Sequence, residues 1–119
     1  MGWVFSACTA EEVLRIAAIA HEMVVPPGQV LFRERDRAET LYCVVRGEFE
    51  LNSETVGPLQ TLGLLDLLSG RLHSGTAVAR TQSLVLAIQA DDFFDLLSNN
   101  IDVVKSLFRH LIQRMEKSR

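Results

Sequence analysis

Residues 62–79 read LGLLDLLSGRLHSGTAVA. Leucines crowd the first seven positions with Asp66 alone among them, Ser69 and Gly70 make a turn, and Arg71-Leu72-His73 leads to small residues that enter a strand. The apolar run predicts a short helix over 62–68, with Thr61 and Gly63 near its start. At helical spacing, one carboxylate among leucines marks a solvent face, which is the expected place of Asp66. Ser74, Gly75 and Thr76 are the residues a backbone uses to approach a ligand closely.

Working outward, the chain alternates short strands with turns. Thr9 and Glu12 have capping-box spacing, and Val13, Ile16, Ala17 and Ala20 mark one face of a helix from about Ala10 to about His21. Pro26-Pro27-Gly28 ends that segment. Residues 29–33, 41–45, 48–51, 76–80 and 84–89 carry strand patterns separated by polar or glycine-bearing turns. From Asp91 the chain turns helical, breaks at Ser98-Asn99-Asn100, and resumes from about Ile101 to Met115. The expected fold is mainly β with flanking helices, a jelly-roll barrel with one N-terminal helix, a short central helix and C-terminal helices. The 119 residues form one domain, with a helical segment at 1–22, a β-roll at 23–90 and helices at 91–119.

Composition narrows the partners. A net charge of −3 lacks the basic excess of a nucleic-acid-binding domain, so none is expected within this chain. The five basic residues from Lys105 onward, opposed by Glu116 alone, complement the dipole of a terminal helix. No run is long enough to span a bilayer, and no membrane partner is expected. Met1-Gly2 opens a loose myristoylation pattern, but Trp3 and Phe5 are expected to pack under the first helix. Cys8 and Cys43 form no CxxC pair and read as reduced, packed thiols of a cytoplasmic protein. His21, His73 and His110 show no metal-ligand spacing, and no nucleophile–base pair stands out, so neither a metal site nor an enzyme is expected.

The segment PGQVLFRERDRAETLYCVVRGEFEL, residues 27–51, resembles the first half of a cyclic nucleotide-binding domain. Gly28, Leu31, Phe32, Asp36, Leu41, Tyr42, Val44 and Gly47 match that family in register. Residues 62–79 resemble its phosphate-binding cassette, of the form Phe-Gly-Glu-Leu-Ala-Leu-Leu, a turn, then Pro-Arg-x-Ala-Thr. Gly63, Leu65, Leu67, Leu68, Thr76, Val78 and Ala79 match without a gap, and Asp92-Phe93 fits the helix that follows. The resemblance implies a regulatory or sensor domain whose ligand would contact Gly63, Leu64, Leu65, His73, Ser74, Gly75 and Thr76.

The departures bear on function. Leu64 stands where the family's glutamate binds the ribose hydroxyl, and His73 stands where its arginine pairs with the cyclic phosphate. Arg35 replaces the glycine of the Gly-Asp turn, which strains the backbone if φ there is positive. Losing two charged hydrogen bonds costs about 3–6 kcal/mol, roughly two to four decades of affinity. The expectation is therefore weak or lost cAMP and cGMP binding, with no other cofactor. Restoring Leu64→Glu and His73→Arg together is expected to recover about tenfold or more. A protonatable His73 further predicts tighter phosphate binding at about pH 6 than at about pH 8. Two alternatives remain open: a structural or oligomerisation module with an empty pocket, and a sensor of another small ligand around Leu64.

Ile101, Val104, Phe108, Leu111 and Met115 are spaced 3, 4, 3, 4, an a/d seam that would pair two copies. Leu107 and Ile112 widen the stripe, as in a helix packed on its own domain. The chain is read as a free module or part of a larger regulated protein.

Overall fold

A computed structural model describes residues 10–117. Trp3, Phe5, Cys8 and the N-cap Thr9 lie outside the described residues, as do the side chains of Glu12, Val13 and Met115.

Helix α1 (Ala10–Ile19) is followed directly by strand β1 (Ala20–Val25). The expected helix to His21 stops early because six residues of β1, Ala20 to Val25, pair antiparallel with Ile88 to Ser83 of β8 (Ser83–Gln89). Strands β2 (Val30–Phe32), β3 (Thr40–Arg46), β4 (Phe49–Leu51), β5 (Glu54–Val56) and β6 (Thr61–Leu62) come next. Helix α2 (Leu64–Ser69), strand β7 (Ala77–Ala79), β8, and helices α3 (Ala90–Asn99) and α4 (Ile101–Lys117) complete the order.

The strands form two antiparallel sheets, ordered β1-β8-β3-β6 and β2-β7-β4-β5. They pack as a sandwich and are not closed into the expected barrel: β1, β6, β2 and β5 remain edges. The first sheet is the middle of three layers, which explains its near-continuous apolar strands. Leu41 and Cys43 of β3 and Ile88 of β8 face the helices, joining Ile16, Leu64, Leu67, Phe93, Leu96, Val103 and Leu107. Val44 and Val85, with Val25 and Leu62 of the same sheet, face Phe32, Phe49, Ala77 and Ala79 of the second. Period-two alternation thus feeds two cores from one strand.

Among the turns with left-handed backbone are those at Gly47 and Arg35. Gly47 closes the β3–β4 turn at φ +93°, where a Cβ would lie 2.7 Å from the Ser83 Cα. Arg35 has φ +75°, so the arginine in place of glycine does sit in the left-handed region. Its turn is held by the Asp36 carboxylate, which accepts from the Arg33 N–H at 3.0 Å.

The helical layer is locked at the break between α3 and α4. Buried Asn100 donates its Nδ2 to the Leu96 carbonyl at 2.7 Å and accepts from Arg15 Nη1 at 2.8 Å. Among the α1 face residues, Ile16 is buried whereas Ala17 is exposed. Cys43 is a free, buried thiol, pushed up to about 12 by desolvation, and is correspondingly inert.

Candidate functional site

Helix α2 begins two residues after Leu62 of β6, which pairs with Tyr42 of β3, so the middle sheet positions its start. Gly63 caps it at φ +85°, and a Cβ there would come within 3.0 Å of the His73 ring. Both the backbone conformation and the close approach of that ring therefore require glycine. Leu64 is 2% exposed and, with Leu67, anchors α2 in the helix-side core. Each buried leucine contributes about 1.5–3 kcal/mol. Leu65 is turned outward and exposed.

After Gly70, which ends α2 at φ +66°, the chain doubles back beside the turn at 33–37. Arg37 and Leu72 form a bridge, the His73 N–H donates to the Asp36 carbonyl at 2.8 Å, and the Arg35 N–H donates to the His73 carbonyl at 2.8 Å. This pins the His73 backbone. Its side chain turns inward, leaving the residue 3% exposed, with the imidazole stacked on Phe32 at 3.6 Å between centroids.

Desolvation lowers the His73 pKa below its usual 6.5, although the nearby Asp66 and Asp36 carboxylates oppose the shift. Near neutral pH the ring is therefore uncharged. The protonatable His73 of the sequence reading is thus a buried ring whose charged form is disfavoured by desolvation. Nδ1 is fully buried without a hydrogen-bond partner, 3.9 Å from Asp66 Oδ2.

Asp66 is the residue that sequence reasoning misplaced. Its side chain is 14% exposed rather than solvent-facing. Oδ2 accepts from the Ser74 N–H at 3.0 Å and the Ser74 hydroxyl at 3.1 Å. The signal was available in the eight-residue separation of an acid and a serine across a Gly turn, but spacing alone does not identify such a partner. Thr76 is also engaged, its hydroxyl accepting from the Glu34 N–H at 3.0 Å. The open side of Gly75 is occupied by the Asn52 side chain from the β4–β5 turn. Arg71 is exposed.

The fold thus brings Gly63, His73, Ser74, Gly75 and Thr76 to one loop cluster, while Leu64 enters the helix-side core and Leu65 faces out. A separate cleft of about 450 Å³ lies between α1 and α3, lined in part by Arg15, Asp92, Asp95 and Asn99, and includes none of these residues. Among the described residues, no group of three or more His, Cys, Asp or Glu is arranged to hold a metal ion. No described helix is long and apolar enough to cross a membrane.

Comparisons with known proteins agree with this architecture. The chain is similar to the N-terminal domain of a transcriptional regulator from Streptomyces coelicolor A3(2), with 26% identity and a TM-score of 0.80, covering 99% of this chain and 91% of that one. It is also similar to the Thermus thermophilus catabolite activator protein, with 24% identity and a TM-score of 0.86, over 98% of this chain and 60% of that one. A third similar structure, described under a cyclic-GMP-dependent signalling pathway that regulates bacterial phytopathogenesis, is 28% identical with a TM-score of 0.78, covering 92% and 94%. No curated protein sequence matches. The family model for the cyclic nucleotide-binding domain matches residues 22–100, and the chain belongs to that family.

Proposed function

We propose that this member of a generally regulatory family is a noncatalytic sensor or regulatory module that does not bind cAMP or cGMP in the usual cassette mode. The observation that carries the reading is His73. At the position corresponding to the family's arginine, the chain has an uncharged ring stacked on Phe32 and pinned by its own backbone hydrogen bonds. Such a ring supplies no charge to a cyclic phosphate. Leu64, in place of the glutamate, is committed to the core and offers no acceptor to a ribose. The noncatalytic reading is supported by the family and by the inertness of buried Cys43.

Titration with cAMP and cGMP, followed by calorimetry and by amide NMR, tests this. Little or no saturable binding at tens of micromolar ligand is expected. A low-micromolar dissociation constant for either nucleotide overturns the reading.

The exposed face of α4 supports homodimerisation as a further part of the proposal. Val103 and Leu107 fill the core, whereas Ile101, Phe108 and Ile112 are 65%, 62% and 52% exposed along one side. Val104 and Leu111 lie half-buried between the two faces. The helix carries one apolar face for its own domain and another for a second copy.

A further inference from the structure

Three groups converge on one oxygen of Asp66. The Ser74 N–H and hydroxyl both donate to Oδ2, and the buried, unpartnered Nδ1 of His73 faces the same atom at 3.9 Å. The carboxylate does not reach them by chance of a flexible surface chain. Asp66 lies on the third residue of α2, its side chain mostly buried, and its own main-chain carbonyl accepts from the Arg71 N–H at 3.0 Å. The returning loop is therefore wrapped around Asp66, backbone and side chain alike.

A backbone N–H and a hydroxyl directed at a single anionic oxygen, with an imidazole behind them, are the donor set that recognises a phosphate oxygen. We propose that Asp66 is an internal anion that occupies this donor set, so that the loop at 71–76 is held in a filled state by its own chain and excludes phosphate-bearing ligands. The proposal rests on the preceding functional reading and adds the cause of exclusion. Besides lacking the arginine, the loop presents a fixed negative charge to an incoming phosphate, and its best donors are already used. Removing Asp66 unmasks a site for phosphate or phosphodiester anions built from Ser74 and His73.

The test uses the whole chain as wild type, Asp66→Asn and Asp66→Ala. The asparagine retains an acceptor for Ser74 while removing the charge, and the alanine vacates the donors. Each is titrated with inorganic phosphate and, separately, with cAMP, following the Ser74 amide and His73 ring resonances by NMR. In wild type neither probe shifts these signals saturably. Asp66→Ala is expected to bind phosphate with saturable shifts at both residues and at least about tenfold higher affinity than wild type, the equivalent of about 1.4 kcal/mol. Asp66→Asn gives a smaller gain and keeps the test usable if the alanine variant does not fold. Binding of cAMP as well as phosphate shows that the unmasked site admits a nucleoside, while binding of phosphate alone limits it to small anions. Both results support the inference. Folded variants whose Ser74 and His73 signals respond to neither probe overturn it and leave the functional reading standing. Cyclic nucleotide binding by the wild type overturns that reading itself.

Discussion

The imidazole of His73 lies on the Phe32 ring with planes 11° apart and centroids 3.6 Å apart. This contact joins the loop after α2 to strand β2 and decides the character of the site. A side chain at this position that reached solvent could meet a ligand phosphate with charge. One stacked in the interior contributes to packing and is hard to protonate.

Stability should therefore depend on pH through His73. Its pKa in the folded state lies below the usual 6.5, chiefly through desolvation. Between the two values the unfolded chain binds more protons, so stability rises with pH across that window. The His73 contribution is complete above about pH 6.5 and is lost as pH falls through the folded-state value. Urea unfolding between about pH 5 and pH 7.5 should show a steeper acid loss for wild type than for His73→Gln. Equal slopes would mean that His73 titrates alike in both states. Any phosphate binding that relies on imidazolium shifts to correspondingly lower pH than the sequence suggested.

Leu64→Glu should destabilise the domain rather than restore nucleotide binding. It places a carboxylate among Leu41, Leu67 and Phe93 without a partner, at about 3 kcal/mol or more. Leu64→Met, which keeps volume and polarity, should cost less than about 1.5 kcal/mol. Thermal and urea unfolding of the two variants checks the contrast. A well-folded Leu64→Glu protein with wild-type stability would show that this position opens onto water.

Gly47 and Gly28 offer a test of backbone strain against collision. Both have positive φ, at +93° and +84°, but a Cβ at Gly28 meets nothing within 4 Å, whereas one at Gly47 collides with Ser83. Gly28→Ala should cost about 1–2 kcal/mol from conformation alone, and Gly47→Ala distinctly more because the Ser83 backbone must move. Equal unfolding free energies for the two variants would remove the collision from the explanation.

The two faces of α4 should separate in mutagenesis. Phe108→Glu, on the exposed side, should convert a dimer to a monomer in light scattering while changing monomer stability by no more than about 0.5 kcal/mol. Leu107→Glu, on the buried side, should unfold the domain or lower its melting temperature sharply. A monomeric wild type removes the intermolecular role of Phe108.

The sequence by itself determined the features that local chemistry controls. Continuous apolar runs at 41–44 and 84–88 specify strands, and the polar stretch Ser98-Asn99-Asn100 marks the end of α3, with the break at Asn100 itself. The register of glycines and leucines carried the family. What tertiary structure decided are relationships between distant segments. Residues 20–25 have no strong strand pattern of their own and become β1 because β8 offers six paired positions. Strands β5 and β6, with three and two residues, were missed because they are too short to show a period and exist through pairing with β4 and β3. The a/d spacing in α4 reported apolar residues but not which of two faces meets the core. Asp66 looked like a solvent-facing acid because its partners lie beyond a turn. Only folding brings Ser74 and His73 to its carboxylate, where burial and the shortage of water convert a lone charge into the acceptor that organises the loop.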